Sequence, residues 1–283
     1  MVRTVIRWTL FALCLLVVGP MCWWLVSGLR LGDVRTVATP GVHQGTGGMA
    51  VGLLMGLLAV GIAGIASCLI ARITSVRWGL FCGGVALAWA ARSSDSLDAL
   101  MRAGGEGVLM RLSIEAAVLG AGLLAVLAVL LPRGESPPLR TALSDRVTLT
   151  ALGTGFAAAL VAGFVAAYVV AQSMLRGQTL AAAVVAGLAA GAVSAVVSPR
   201  PEPLALLLGL VVLAVASPII AGATSLPTGR LTMLANGATI FAGARVLPMD
   251  VLAGGLMGIP LGLAWGSSMV KTVPHGHAHH APA

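Results

Sequence analysis

Charge is what this chain has least of: only 9% of its 283 residues are Asp, Glu, Lys or Arg, against roughly a quarter in a soluble domain. So small a supply cannot cover a water-facing surface, whereas acyl chains require no polar cover. The deficit excludes a soluble globular fold and predicts an all-α polytopic membrane bundle. Lysine is nearly absent, with Lys271 standing beside 16 arginines. Aromatic residues make up 4% and tyrosine occurs once, at Tyr168, which leaves no stacking platform for single-stranded nucleic acid. The four cysteines, Cys14, Cys22, Cys68 and Cys82, form no C-x-x-C pair and fall within or beside apolar runs. They are expected to be small packing residues rather than a disulfide framework.

Catalytic signatures are missing too. There is no G-x-S-x-G elbow, H-E-x-x-H helix or phosphate-binding G-x-x-x-x-G-K-[ST] loop, so neither an enzymatic role nor a cofactor is expected. Asp95-x-x-Asp98 matches part of an acidic metal-binding pattern, but no further carboxylates follow it in register.

What the chain does have is long apolar runs, and a mean hydropathy of +1.01. Seven segments, 8–27, 48–71, 112–131, 147–171, 179–198, 204–223 and 251–270, reach the ~20 residues that a helix needs to cross the hydrocarbon core. An eighth run, Trp78–Ala91, is shorter and could lengthen to Ile73 if Arg77 snorkels to the headgroups. The run Leu231–Ala244 contains Asn236 and is expected to be re-entrant or interfacial. Eight crossings follow. Arg3 and Arg7 precede the first run as in a secretory signal, yet the run continues through Pro20 to Trp23, Trp24 and Ser27 without a small-x-small cleavage site. A retained signal anchor is expected.

The chain is expected to be a single membrane domain, with halves 1–132 and 147–270 joined by a polar loop, 133–146, and a flexible tail, 271–283. The net charge of +8 is spread as single or paired arginines, such as Arg72 with Arg77 and Arg140 with Arg146. That spacing points to topology anchoring and attraction to anionic lipid headgroups, not to nucleic acid. Nine Lys and Arg fall on the side of the termini and eight on the other, which leans toward cytoplasmic termini. The Arg-over-Lys bias suggests a GC-rich bacterial genome and hence an inner membrane. Between spans three and four, Leu97, Leu100 and Met101 recur at helical spacing opposite Asp95, Asp98 and Arg102. Either a short amphipathic helix lying on the membrane or a solvated loop fits that pattern.

The most specific pattern is small residues repeating every four positions. Gly254, Gly258, Gly262 and Gly266 do so in the last span, Ala183, Gly187, Gly191 and Ala195 in the sixth, and Gly155, Ala159, Gly163 and Ala167 in the fifth. Gly48, Gly52 and Gly56 line the second span, with Gly79 and Gly83 in the third. Such stripes let helix backbones approach closely, within one chain or between chains, or provide a sliding surface in a transporter. Pro20, Pro218 and Pro260 interrupt three spans, and Ser217-Pro218 and Gly258-Ile259-Pro260 are the candidates for exposed backbone at a transport site, with packing kinks as the alternative. Glu115 is expected about one turn into its span, near water and near Arg111, as an ion-pairing anchor or an ion-coupling group. Asp250 is expected to cap the last span or to interact favourably with its helix N-terminus. His275, His277, His279 and His280 could form a weak metal site on the tail, against a plain disordered end.

Two functional classes remain. The sequence favours a non-catalytic structural or accessory subunit, bound to membrane lipids and packing through glycine-rich faces against copies of itself or other membrane proteins. The alternative is a permease-like or channel-like component for a small solute. An exposed Gly254–Gly266 face would favour the first, and a polar cavity near Ser217, Pro218 and Pro260 the second.

Overall fold

The computed structural model describes residues 2–27, 46–94, 96–104, 107–132, 146–172, 176–198, 201–224 and 242–270. All regular structure among them is helical. The elements are α1 (Val2–Ser27), α2 (Thr46–Ile73), α3 (Val76–Ala91), α4 (Leu97–Gly104), α5 (Val108–Leu130), α6 (Arg146–Val170), α7 (Arg176–Val197), α8 (Pro203–Thr224) and α9 (Pro248–Val270), with a 3₁₀ turn, Ala242–Arg245, ahead of α9. Seven of these helices are long and apolar enough to cross a membrane. The chain is thus a multi-pass integral membrane protein built as a helical bundle.

Seven of the eight expected spans are present as helices of crossing length, with ends set by local chemistry, and the eighth run forms the shorter α3. Helix α1 begins at Val2 rather than at position 8. Its turn Cys14–Val18 is π-helical, and the Gly19 amide donates to the Cys14 carbonyl. That wider turn sits immediately before Pro20, whose ring has no N–H to give and crowds the preceding turn. Ile73 does not extend the short eighth run, because α2 continues through it. The chain then turns at Thr74, and the Ser75 side chain accepts from the Trp78 amide to start α3. At 16 residues, α3 measures only ~24 Å against a core of ~30 Å. It tolerates this by lying between α2, α9 and the second half of α1.

The segment after α3 is neither a solvated loop nor a helix on the lipid surface. It forms α4, whose Leu97, Leu100 and Met101 are at most 2% exposed. They pack with Val108, Leu109 and Leu112 of α5, Ala221 of α8, and Ala244 and Leu247 ahead of α9. Amphipathic spacing is the same whether the apolar side meets acyl chains or protein, and here protein covers it.

Helix α9 occupies the centre: 78% of its crossing stretch is buried, against 22% for α1. It packs on α7, α3 and α8. The two small-residue stripes predicted on α7 and α9 meet each other. A methyl placed on Gly254 would touch Ala183 at 2.4 Å, on Gly258 the Val184 carbonyl oxygen at 2.1 Å, on Gly262 that of Leu188 at 2.1 Å, and on Gly266 that of Ala192 at 2.6 Å. From the other side, a methyl on Gly191 would stand 2.5 Å from the Ile259 carbonyl oxygen, and one on Gly187 3.1 Å from the Ile259 nitrogen. Residue numbers rise together along this contact, so α7 and α9 run parallel, with antiparallel α8 linking them. Elsewhere Gly79 and Gly83 abut Ser67 and Ala71 of α2, Gly84 abuts Ala253 and Met257 of α9, and Gly209 of α8 abuts Ala159 of α6. Gly163 faces Leu210, Gly155 lies more loosely by Ser194 and Ala205, and Ala167 is buried. Gly52 and Gly56 are buried in α2, while the surroundings of Gly48 lie outside the described residues. In lipid, such close approach stabilises through dispersion and not through exclusion of water.

Tryptophans mark the two ends. Trp8, Trp78 and Trp265 lie toward one end of the bundle, and Trp23, Trp24 and Trp89 toward the other. Trp8 and Trp24 are exposed on α1, and the ~24 Å of helix between them approximates a hydrocarbon thickness flanked by aromatic belts.

Candidate functional site

Several hydroxyls within the crossing helices are satisfied locally, whereas those of buried Ser67 and Ser194 have no hydrogen-bond partner among the described residues. Thr9, Ser113 and Thr154 donate to carbonyls one turn back, at 3.0 Å, 3.1 Å and 2.9 Å, as Ser and Thr commonly do in helices. They therefore mark no pathway. Pro218 and Pro260 are both buried, and the helices run through them unbroken. Ser217 is 3% exposed. The open backbone that a substrate site at these positions would use is not formed, because both segments stay helical.

Polar chemistry collects instead where α3 ends and α7 and α9 begin. A cavity of about 200 Å³ lies there, lined by Ala88, Ala91, Arg92, Ser94 and Ser96 from the α3 end, Gly177, Thr179 and Leu180 from α7, and Arg245, Leu247 and Asp250 around the α9 start. Because α7 and α9 are parallel, both present their N-terminal N–H groups at this end, where the helix dipoles favour negative charge. Asp250 lies inside the first turn of α9 and not before it, since the helix begins at Pro248. It is 5% exposed, and Thr179 in the first turn of α7 is 6% exposed.

Arg245 fixes the wall. It is 5% exposed, and its Nη1 donates to the carbonyls of Ala171, at 3.0 Å, and Gln172, just past the end of α6. Gln178 of α7 donates to the Val170 carbonyl at 2.6 Å. The Ala171 and Gln172 carbonyls lie past the last turn of α6, and a guanidinium there also opposes the negative end of the dipole. One cation thereby ties α6 to the start of α9, with α7 held by the adjacent amide.

Glu115 is not the interfacial carboxylate that the sequence suggests. It lies seven residues into α5, ~10 Å from the helix start, and is 0% exposed, whereas Arg111 is exposed. Helix α5 starts earlier than its apolar run does, which carries Glu115 a turn deeper.

Sequence reasoning named neither the cavity nor Arg245 as part of a site. Arg245 had counted only as a topology charge. Its position between apolar neighbours Ala244 and Val246-Leu247, five residues from Asp250, was the available signal. Among the described residues no three of His, Cys, Asp and Glu come together as metal ligands. His275, His277, His279 and His280 lie outside the described residues, as do loop residues 133–145 and Leu231–Phe241. Compared with known proteins, the chain matches no family model, no curated protein and no solved structure.

Proposed function

We propose that this integral membrane protein is a transport component for a small solute, which it admits through the cavity among α3, α7 and α9. The observation carrying this reading is the cavity itself: a space bounded by two helix N-termini, two arginines and a nearly buried carboxylate, at one end of the bundle. Its volume corresponds to roughly seven waters and falls below the 300–1,000 Å³ typical of drug-sized ligands. The solute is therefore small. The lining is mostly apolar and the two helix starts favour negative charge, so a solute with a small apolar body and a negative group suits the site best. Nothing in this arrangement calls for covalent chemistry, and the reading assigns none.

The assembly reading loses its main support, because the Gly254–Gly266 stripe is occupied by α7 of the same chain. One observation keeps it as a second reading: α1 lies at the edge of the bundle with Leu13, Leu16 and Val17 uncovered, and a partner helix could pack there.

Proteoliposomes distinguish the two. Vesicles containing the protein are expected to take up at least one member of a panel of small carboxylates and inorganic anions faster than empty vesicles. Ala88→Leu, which fills the cavity, is expected to abolish the difference. Uptake of none, together with recovery of the chain in a fixed ratio with another membrane protein, would replace transport by the accessory role.

A further inference from the structure

The bundle end opposite the cavity carries a separate constellation. Arg3 and Arg7 lie one helical turn apart on α1, while Arg72 and Arg77 flank the turn between α2 and α3, and all four are exposed. Aromatic side chains hold these helix ends together. Trp8 meets Phe11 edge-on at 5.8 Å and Trp78 edge-on at 5.9 Å, and Phe81 stacks on Phe11 at 6.1 Å and on Trp78 at 5.8 Å. The Trp78 indole N–H donates to the Arg7 carbonyl at 3.2 Å, which sets the Arg7 backbone beside the start of α3, the helix turn that carries Arg77. Arg72 turns the other way, with Nη2 donating to the Leu130 carbonyl at 3.4 Å.

Helices α1, α2 and α3 contain no Asp or Glu at all, so none of them supplies a carboxylate to neutralise these guanidinium groups. Next to them Trp8 is 58% exposed, and further along α1 the side chains of Leu13, Leu16 and Val17 are uncovered. Positive charge at headgroup depth, an exposed indole and an apolar strip running toward the membrane centre occur in the order in which a phospholipid presents phosphate, glycerol and acyl chain.

We propose that this corner is a binding site for an anionic phospholipid, with its phosphate held by Arg3, Arg7 and Arg77 and its chains lying along α1. Each basic residue near an anionic surface contributes about fivefold to binding, so three contribute roughly a hundredfold. The site is independent of the cavity and of the transport reading.

The test is titration of the detergent-purified chain with phosphatidylglycerol or phosphatidylcholine, followed by native mass spectrometry of retained lipid. Phosphatidylglycerol is expected to bind at least ~10-fold tighter than phosphatidylcholine. The triple variant Arg3→Gln, Arg7→Gln, Arg77→Gln is expected to lose that preference, while Arg111→Gln at the far end keeps it. Should the triple variant not fold, each single variant is expected to weaken phosphatidylglycerol binding by about fivefold. Equal binding of the two lipids by the unaltered chain overturns the proposal without any variant. Full displacement by millimolar inorganic phosphate overturns it as well, since that would mark a free-anion site.

Discussion

At Gly258 a single methyl group decides whether two helices fit. It would stand 2.1 Å from the carbonyl oxygen of Val184, and a backbone atom cannot rotate aside as a side chain can. Gly258→Ala is therefore expected to force α9 off α7 and cost about 1–3 kcal/mol, seen as a lower unfolding midpoint in detergent. Gly153→Ala provides the contrast, because nothing lies within 4 Å of that position. It is expected to leave the midpoint unchanged, or to raise stability by up to ~1 kcal/mol, since alanine is the better helix former. Equal losses at the two positions would show that backbone contact is not what makes Gly258 matter. The stripes on α7 and α9 were legible as sequence because four-residue spacing survives any context. That they meet each other was not, because a small-residue face carries no mark of its partner. Asp250 and Arg245 show the same limit: one reads as a helix-terminal acid and the other as a topology charge, and their meeting around one cavity depends on which helices run parallel.

Among the elements, α4 separates pattern from placement most clearly. Its apolar positions were visible as a period, yet the same period suits a helix on a bilayer and a helix packed on protein. The structure packs Leu100 against the ends of α5 and α8 and the start of α9. A cysteine at Leu100 is accordingly expected to resist a membrane-impermeant thiol reagent in the folded protein. A cysteine at exposed Arg111, at the same end of the bundle, is expected to react readily. Comparable labelling of both would mean that α4 is not seated as described. Helix α3 was legible as an apolar run, but its start was not. The break falls at Thr74 and Ser75, between Arg72 and Arg77, and the helix starts at Val76, two residues ahead of the apolar run, because one serine oxygen accepts the Trp78 amide. Short helices depend on such local bonds, whereas long ones are announced by length alone.

For the whole molecule, the number of crossings is the quantity that composition and run length predict best, since every segment must satisfy its own backbone across the same hydrocarbon thickness. Neighbour relations are harder, because lipid and protein are equally apolar surroundings and no alternation of polar and apolar faces points inward. The central place of α9 left one trace, since it is the least hydropathic of the seven spans, whereas the peripheral place of α1 left none. The architecture makes a sidedness prediction that rests on α3 being a true crossing. Cysteines at Arg77 and Arg111 are expected to be labelled from opposite faces of sealed vesicles. If both label from one face, α3 enters and leaves on the same side, and the chain makes seven crossings.

The parallel contact of α7 with α9 also sets a schedule for biosynthesis. Roughly 50 residues separate the end of one helix from the start of the other, and at the usual ~5–20 residues per second of synthesis that is a wait of a few seconds. Through that interval the small-residue groove of α7 has only acyl chains to fill it. An early neighbour could settle there, or a second copy of the chain, before the proper occupant arrives. Helix α9, arriving that much later than α7, is thus the one that locks the middle of the protein, and a nascent chain truncated before Pro248 would expose its most adhesive surface to the bilayer.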